Sequence, residues 1–95
     1  MAVCDISVLP SGYDGDAYQL VDKIIEEIKK SGLKFKVNAM STVVEGETSK
    51  LFELALLLHR KAFEFGAKDV ITMIRVHESK IYDDSIYGKT YKYEK

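Results

Sequence analysis

Apolar residues recur at a period of two in four stretches of the chain and at a helical period in two more. Residues 2–9 put Cys4, Ile6 and Val8 on one side and Val3, Asp5, Ser7 and Leu9 on the other. This alternation predicts a strand with one wholly apolar and one mixed face. Pro10 is expected to end it, and residues 11–16, S-G-Y-D-G-D, form a loop rich in turn residues. Residues 17–30 carry Ala17, Leu20, Val21, Ile24 and Ile28 on one helical stripe. Asp16 suits the N-cap, with Gln19 three residues on, and Gly32 suits the left-handed position that closes a helix. Residues 33–39 alternate again, with Leu33, Phe35, Val37 and Ala39 opposite Lys34, Lys36 and Asn38. Lysines on a strand discourage unwanted pairing, so an edge position is expected.

The chain then turns or bends at Met40-Ser41 into a short third strand, Thr42-Val43-Val44, that ends near Glu45. The pattern leaves open whether this junction is a tight hairpin or a bulge. Residues 48–65 form the second helix, stopped by Gly66. Its core stripe is Leu51, Leu54, Ala55, Leu58, Ala62 and Phe65; a second stripe, Phe52, Leu56, His59 and Phe63, lies on a neighbouring face. One helix on one sheet needs a single stripe, so the excess points either to a subunit contact or to a broad core-facing side. Residues 70–76 are the fourth strand, with Val70, Thr72, Ile74 and Val76 on one face and Ile71, Met73, Arg75 and His77 on the other. The remainder is polar and tyrosine-rich; residues 81–87 suit a helical turn, residues 90–93 a short added strand.

The order β-α-β-β-α-β, with two right-handed crossovers around an antiparallel centre, predicts a ferredoxin-like α+β sandwich. The expectation is one domain over residues 1–95, with a core at about 2–78 and an extension at 79–95. Both helices cover one side of the sheet. The other side, with Val3, Asp5, Ser7, Leu9, Ile71, Met73, Arg75 and His77, has no cover of its own, and self-association as a homodimer or dimer of dimers is expected to supply it. Asp5 and Arg75 fall on adjacent strands of this face. They either form a structural ion pair or leave one partner to contact a polar ligand in an intersubunit cleft.

Charge narrows the classes. Fourteen Lys and Arg against fifteen Asp and Glu give a net charge of −1 with no basic cluster, which argues against a nucleic-acid backbone binder. No apolar run approaches the roughly 20 residues that span a bilayer. The lone Cys4 and the lack of a charged-then-apolar leader fit a reducing, cytoplasmic location. His59 and His77 have no second ligand at metal-binding spacing, and no phosphate-loop or nucleophile motif occurs. No cofactor is expected to be required.

The third strand ends in Glu45-Gly46-Glu47, an acidic corner that opens directly into a helix. Such a corner makes a polar rim beside an apolar wall, as small-molecule sites do and as ordinary strand-to-helix connections also do. A residue-level resemblance adds to this. Pro10 with its polar loop, S-G-L-K-F, M-S-T-V-V-E-G-E, the helix carrying His59, and F-G-A-K-D-V before the last strand together resemble the small thiamine-binding proteins related to YkoF, over about residues 3–78. The resemblance implies a ferredoxin-like oligomer that binds thiamine or its hydroxymethylpyrimidine portion without turnover, as carrier, buffer or sensor. Carried over by position, it points to Thr42, Glu45 and Gly46, with the loop from Pro10 to Asp14 as the other wall. A carboxylate such as Glu45 or Asp5 suits the thiazolium cation; Thr42, Ser7 or Asn38 suits the aminopyrimidine; Tyr13 suits stacking. Two departures lie near this pocket: Ser11-Gly12-Tyr13 where a small apolar residue and Gly directly follow the proline, and His77-Glu78-Ser79-Lys80 where an acidic-then-arginine ending is usual. Two other readings stand beside this one. One is a structural or regulatory homo-oligomer with no ligand. The other is an enzyme pairing Glu45 with His59 or His77, which no spacing supports.

Overall fold

The computed structural model describes residues 1–81, 86, 88 and 91–93. Strands β1 (Ala2–Ser11), β2 (Lys34–Val37), β3 (Thr42–Gly46) and β4 (Asp69–Glu78) alternate with helices α1 (Ala17–Lys30) and α2 (Thr48–Glu64) in the expected order. They form one sheet in the order β2-β3-β1-β4, every neighbouring pair antiparallel. This is the ferredoxin-like α+β sandwich. Tyr91–Tyr93 is a 3-10 turn, where the sequence suggested a strand. Tyr82 and Tyr87 lie outside the described residues, Tyr91 and Tyr93 are exposed, and Ile86 is buried.

One face of the sheet and one stripe of each helix share a single core. Ala2, Cys4, Ile6, Val44 and Val70 meet Leu20, Ile24 and Ile28 from α1 and Leu51, Leu54, Leu58 and Ala62 from α2. Leu20, Ile28, Leu51, Leu58 and Val44 are the largest side chains excluded from water, each contributing about 1.5–3 kcal/mol of transfer energy. The helix ends follow from local chemistry. Asp16 accepts the Tyr18 N–H at 2.9 Å at the start of α1. At its end, Ser31 Oγ donates to the Ile28 carbonyl at 2.6 Å and accepts from the Leu33 N–H at 3.1 Å. Thr48 Oγ1 donates to Glu78 Oε1 and so fastens the first turn of α2 to the last residue of β4. The second α2 stripe is exposed at Phe52, Leu56 and Phe63. His59 within it is half-buried, with Nδ1 2.7 Å from Thr72 Oγ1 and its ring edge-on to Phe63.

Pro10 does not end β1. The strand continues to Ser11, because β4 is long enough to pair with all of it, Pro10 opposite Val70 and Ser11 opposite Asp69. The missing N–H costs nothing here. The backbone of Pro10 points to the other side, toward β3, and β3 has already stopped: its pairing with β1 runs only from Ala2↔Gly46 to Ile6↔Thr42. Beyond Ile6, β1 is locally an edge strand, and an edge tolerates proline.

The β2–β3 junction is a hairpin. Val37 pairs with Thr42, and the Asn38 N–H donates to the Ser41 carbonyl at 2.9 Å across the turn.

Candidate functional site

The early end of β3 leaves a notch in the sheet. Along one side runs the edge of β1 beyond Ile6, as far as Pro10, with no partner on β3; across from it lies the β2–β3 turn, 38–41. Val21, Ile24, Ile25 and Ile28 of α1, with Leu58 of α2, close the notch from the helical side. The result is a cavity of about 170 Å³. Met40 and Val21 stand exposed at its rim. Drug-sized sites run about 300–1,000 Å³, whereas a cavity of about 150 Å³ holds one benzene ring. This one has the volume of a single six-membered ring.

Its walls are mostly aliphatic, with a few polar residues among them. Ser7 Oγ donates to the Met40 carbonyl at 3.2 Å, tying the turn to β1. Asn38, Ser41 and Thr42 also line the cavity, and their side chains make no hydrogen bond among the described residues. Thr42 is buried, on the helix-facing side of β3 beside Ile6. No ionisable side chain lines the space. A few unpaired dipoles in an apolar, uncharged setting select a neutral ligand group that carries both donors and acceptors.

Of the residues singled out from sequence, Ser7, Asn38 and Thr42 meet at this cavity; Asp5, Tyr13, Glu45 and Gly46 are placed elsewhere. Tyr13 turns inward. Its ring lies 3.1 Å from where a Cβ on Gly66 would stand and 3.2 Å from the same point on Gly15, so a glycine without a side chain at φ 115° provides the seat. Gly46 permits close packing, since a Cβ there would sit 3.2 Å from Leu33 Cδ2. Glu45 is buried on the face away from the helices, in one row with Lys34 and Val3. Lys34 Nζ is 3.4 Å from its carboxylate. His77 continues that row beyond Val3, two strand spacings or roughly 9.5 Å from Glu45. His59 is on the opposite side of the sheet, so neither imidazole shares a site with Glu45.

Asp5 belongs to a second, open depression of about 320 Å³ on the sheet face away from the helices, lined with Val3, Val43, Arg75 and His77. Asp5 and Arg75 face each other across β1 and β4. Arg75 Nε donates to both carboxylate oxygens at 3.1 and 3.2 Å, and a further guanidinium N–H donates to Oδ2. The hydrogen bonds from Arg75 hold the Asp5 carboxyl below the usual carboxylate range. The ion-pair alternative is the one formed. Beneath it, burial pushes the Cys4 thiol up to about 11, with the Asp5 charge adding to the effect, so the thiol is an inert part of the core. Leu9, Ile71 and Met73 are exposed on this same face. Among the described residues no group of His, Cys, Asp and Glu is arranged to hold a metal ion, and no helix is long and apolar enough to cross a membrane.

The sequence signals that mark the cavity are weak ones. Val8, Ile25, Met40 and Ser41 each read in the sequence as an ordinary strand, helix or turn position. What makes them a site is the offset between the ends of β1 and β3.

A model of a thiamine-binding protein family matches residues 4–94. A UPF0045 protein of Clostridium perfringens is 37% identical over 82 residues, spanning 84% of this chain and 86% of that one. Another from Bacillus subtilis is 31% identical over 85 residues, spanning 84% and 82%. Among solved structures, a domain of unknown function from Bacillus cereus superposes with a TM-score of 0.91 at 33% identity, covering 98% of this chain and 89% of that one. A Thermotoga maritima protein provisionally assigned to thiamine biosynthesis or salvage superposes with a TM-score of 0.86 at 28% identity, covering 98% of each.

Proposed function

This chain belongs to the thiamine-binding protein family, and we propose that it binds thiamine or its hydroxymethylpyrimidine portion, without chemical turnover, in the cavity beside β1. The observation that carries this reading is the match between a space of about 170 Å³ and one aromatic ring, walled mostly by aliphatic residues with Asn38, Ser41 and Thr42 also in the lining. The pyrimidine ring occupies the cavity. The thiazolium ring, permanently charged, stays at the mouth near Met40, because no carboxylate lines the interior to offset it. Retention without reaction is supported by the same lining: no acid, base or nucleophile at an ionisable side chain reaches the bound ring. Carrier, buffer and sensor are all served by such a site, in the cytoplasm, where the lone buried Cys4 is at home.

Self-association accompanies binding in this reading. Leu9, Ile71 and Met73 on the open face and Phe52, Leu56 and Phe63 on α2 are large, apolar and exposed, and a closed homodimer or dimer of dimers covers them economically.

Isothermal titration with thiamine, and separately with hydroxymethylpyrimidine, tests the reading after light scattering has fixed the assembly state. Saturable heat with both, near one ligand per subunit, is expected. Absence of heat and of any thermal shift with either compound overturns the binding function and leaves a ligand-free oligomeric module.

A further inference from the structure

We infer that the main chain of Val8 is the element that reads the ligand: its N–H and C=O, side by side on the free edge of β1, pair with a ring nitrogen and the amino group next to it, so that the site selects a neutral aminopyrimidine. This rests on the proposed binding function and specifies how that site recognises its ligand.

The argument begins with the alternation of the sheet. In an extended strand the N–H and C=O of one residue point to the same side, and successive residues point to opposite sides. The Asn38 N–H to Ser41 carbonyl bond turns Ser41 toward β2. Thr42, Val44 and Gly46 therefore point toward β1, and their partners Ile6, Cys4 and Ala2 point back. Val8, two residues beyond Ile6, points the same way. In register it would meet Met40, but Met40 lies in the turn, its carbonyl accepts from Ser7 Oγ, and no backbone bond joins it to Val8. The edge thus presents one donor and one acceptor to the cavity that Val8 lines.

Pro10 keeps this edge available. Its backbone faces the same side as that of Val8 and has no N–H to give, so an added strand meets a broken ladder immediately beyond Val8. The turn held by Ser7 Oγ shields the other end. What remains open is one residue long, the length of an amine-and-ring-nitrogen edge and too short for a peptide. Thr42, buried on the helix-facing side of β3 opposite Ile6, is the polar side chain next to it and receives the hydroxymethyl substituent.

The test uses the whole chain and two ligands of nearly equal shape, hydroxymethylpyrimidine and its analogue lacking the amino group. The analogue is smaller, so nothing excludes it sterically, yet it leaves the Val8 carbonyl unpaired. It is expected to bind at least about tenfold more weakly, since a buried polar group without its partner is heavily penalised. In amide NMR the Val8 resonance is expected to move strongly with hydroxymethylpyrimidine and its hydrogen exchange to slow. Val8→Pro, at an edge position where proline removes no ladder bond, is expected to keep the circular dichroism of the fold and lose binding. Equal affinity for the two ligands, or an unmoved Val8 amide while hydroxymethylpyrimidine saturates the protein, overturns this inference and leaves the binding function standing. No saturation by hydroxymethylpyrimidine at all removes both.

Discussion

Truncating Leu58 to alanine probes the wall between core and cavity. Leu58 is fully buried on α2, packed in the core and lining the space beside β1. Leu→Ala in a core costs about 2.7–5 kcal/mol, and the cost rises with the void left behind. Here the new void opens into an existing space of about 170 Å³, so collapse around the alanine has little to gain and a loss of about 4 kcal/mol is expected. A chain of 95 residues has roughly 5–14 kcal/mol of stability in total. The variant should therefore stay folded but melt some 15–30 °C lower. Urea denaturation followed by circular dichroism measures the change directly, with the slope expected to stay constant. Leu58→Met, which nearly conserves volume, should cost less than about 1.5 kcal/mol. Because the enlarged space no longer fits one ring, hydroxymethylpyrimidine should stabilise the alanine variant less than the parent. A loss below about 1 kcal/mol, well under the range for buried leucines, would refute the reasoning, since it would mean that α2 settles into the space and that the cavity walls are not rigid.

Gly46→Ala should destabilise by about 1 kcal/mol through the contact of its new methyl group with Leu33, and calorimetry should find ligand affinity unchanged, as Gly46 lies outside the cavity. Glu45→Gln should likewise leave pyrimidine affinity intact, its carboxylate being turned toward Lys34 on the other face. The folded-state pKa of Asp5 is depressed by Arg75, so its stabilising contribution is present above the unfolded carboxylate value and fades as pH falls through the folded one. Urea melts at about pH 7 and about pH 3 should show a smaller acid-induced loss for Asp5→Asn than for the parent. Cys4, raised from 9.0 to about 11, holds roughly a hundredfold fewer thiolates near pH 8 than an unshifted thiol. A thiol reagent should label it rapidly only after unfolding.

The fold was readable because each element carries its own local pattern: period two for the strands, two apolar stripes for the helices, and Asp16 and Gly32 as punctuation. Strand ends were harder. Pro10 looks like a stop until the length of β4 and the shortness of β3 are known, and both are properties of pairing partners distant in sequence. The site divides the same way. Ser7, Asn38 and Thr42 attracted notice through their polar chemistry and line the cavity, whereas Tyr13 and Glu45 have equally suggestive chemistry and face other surroundings. Side-chain type says what a residue is able to do; the register between β1 and β3 says where. The polar groups of Val8 that face the cavity are those of its backbone, and no side-chain pattern can advertise those.

The pairing of β1 with β4 also sets the order in which this protein can be made. Ala2 lies opposite Glu78, so β1, once made, waits for β4. At about 5–20 residues per second, the 76 residues added after Ala2 to reach Glu78 take roughly 4–15 s to synthesise. During that interval α1 and the β2–β3 hairpin can form locally, but the central strand has one side unsatisfied. Contacts this distant in sequence slow folding and leave a nascent edge open to other chains. The edge left open in that interval is the one that faces β4, to which the backbone of Pro10 does not point, so its protection rests on how soon β4 follows.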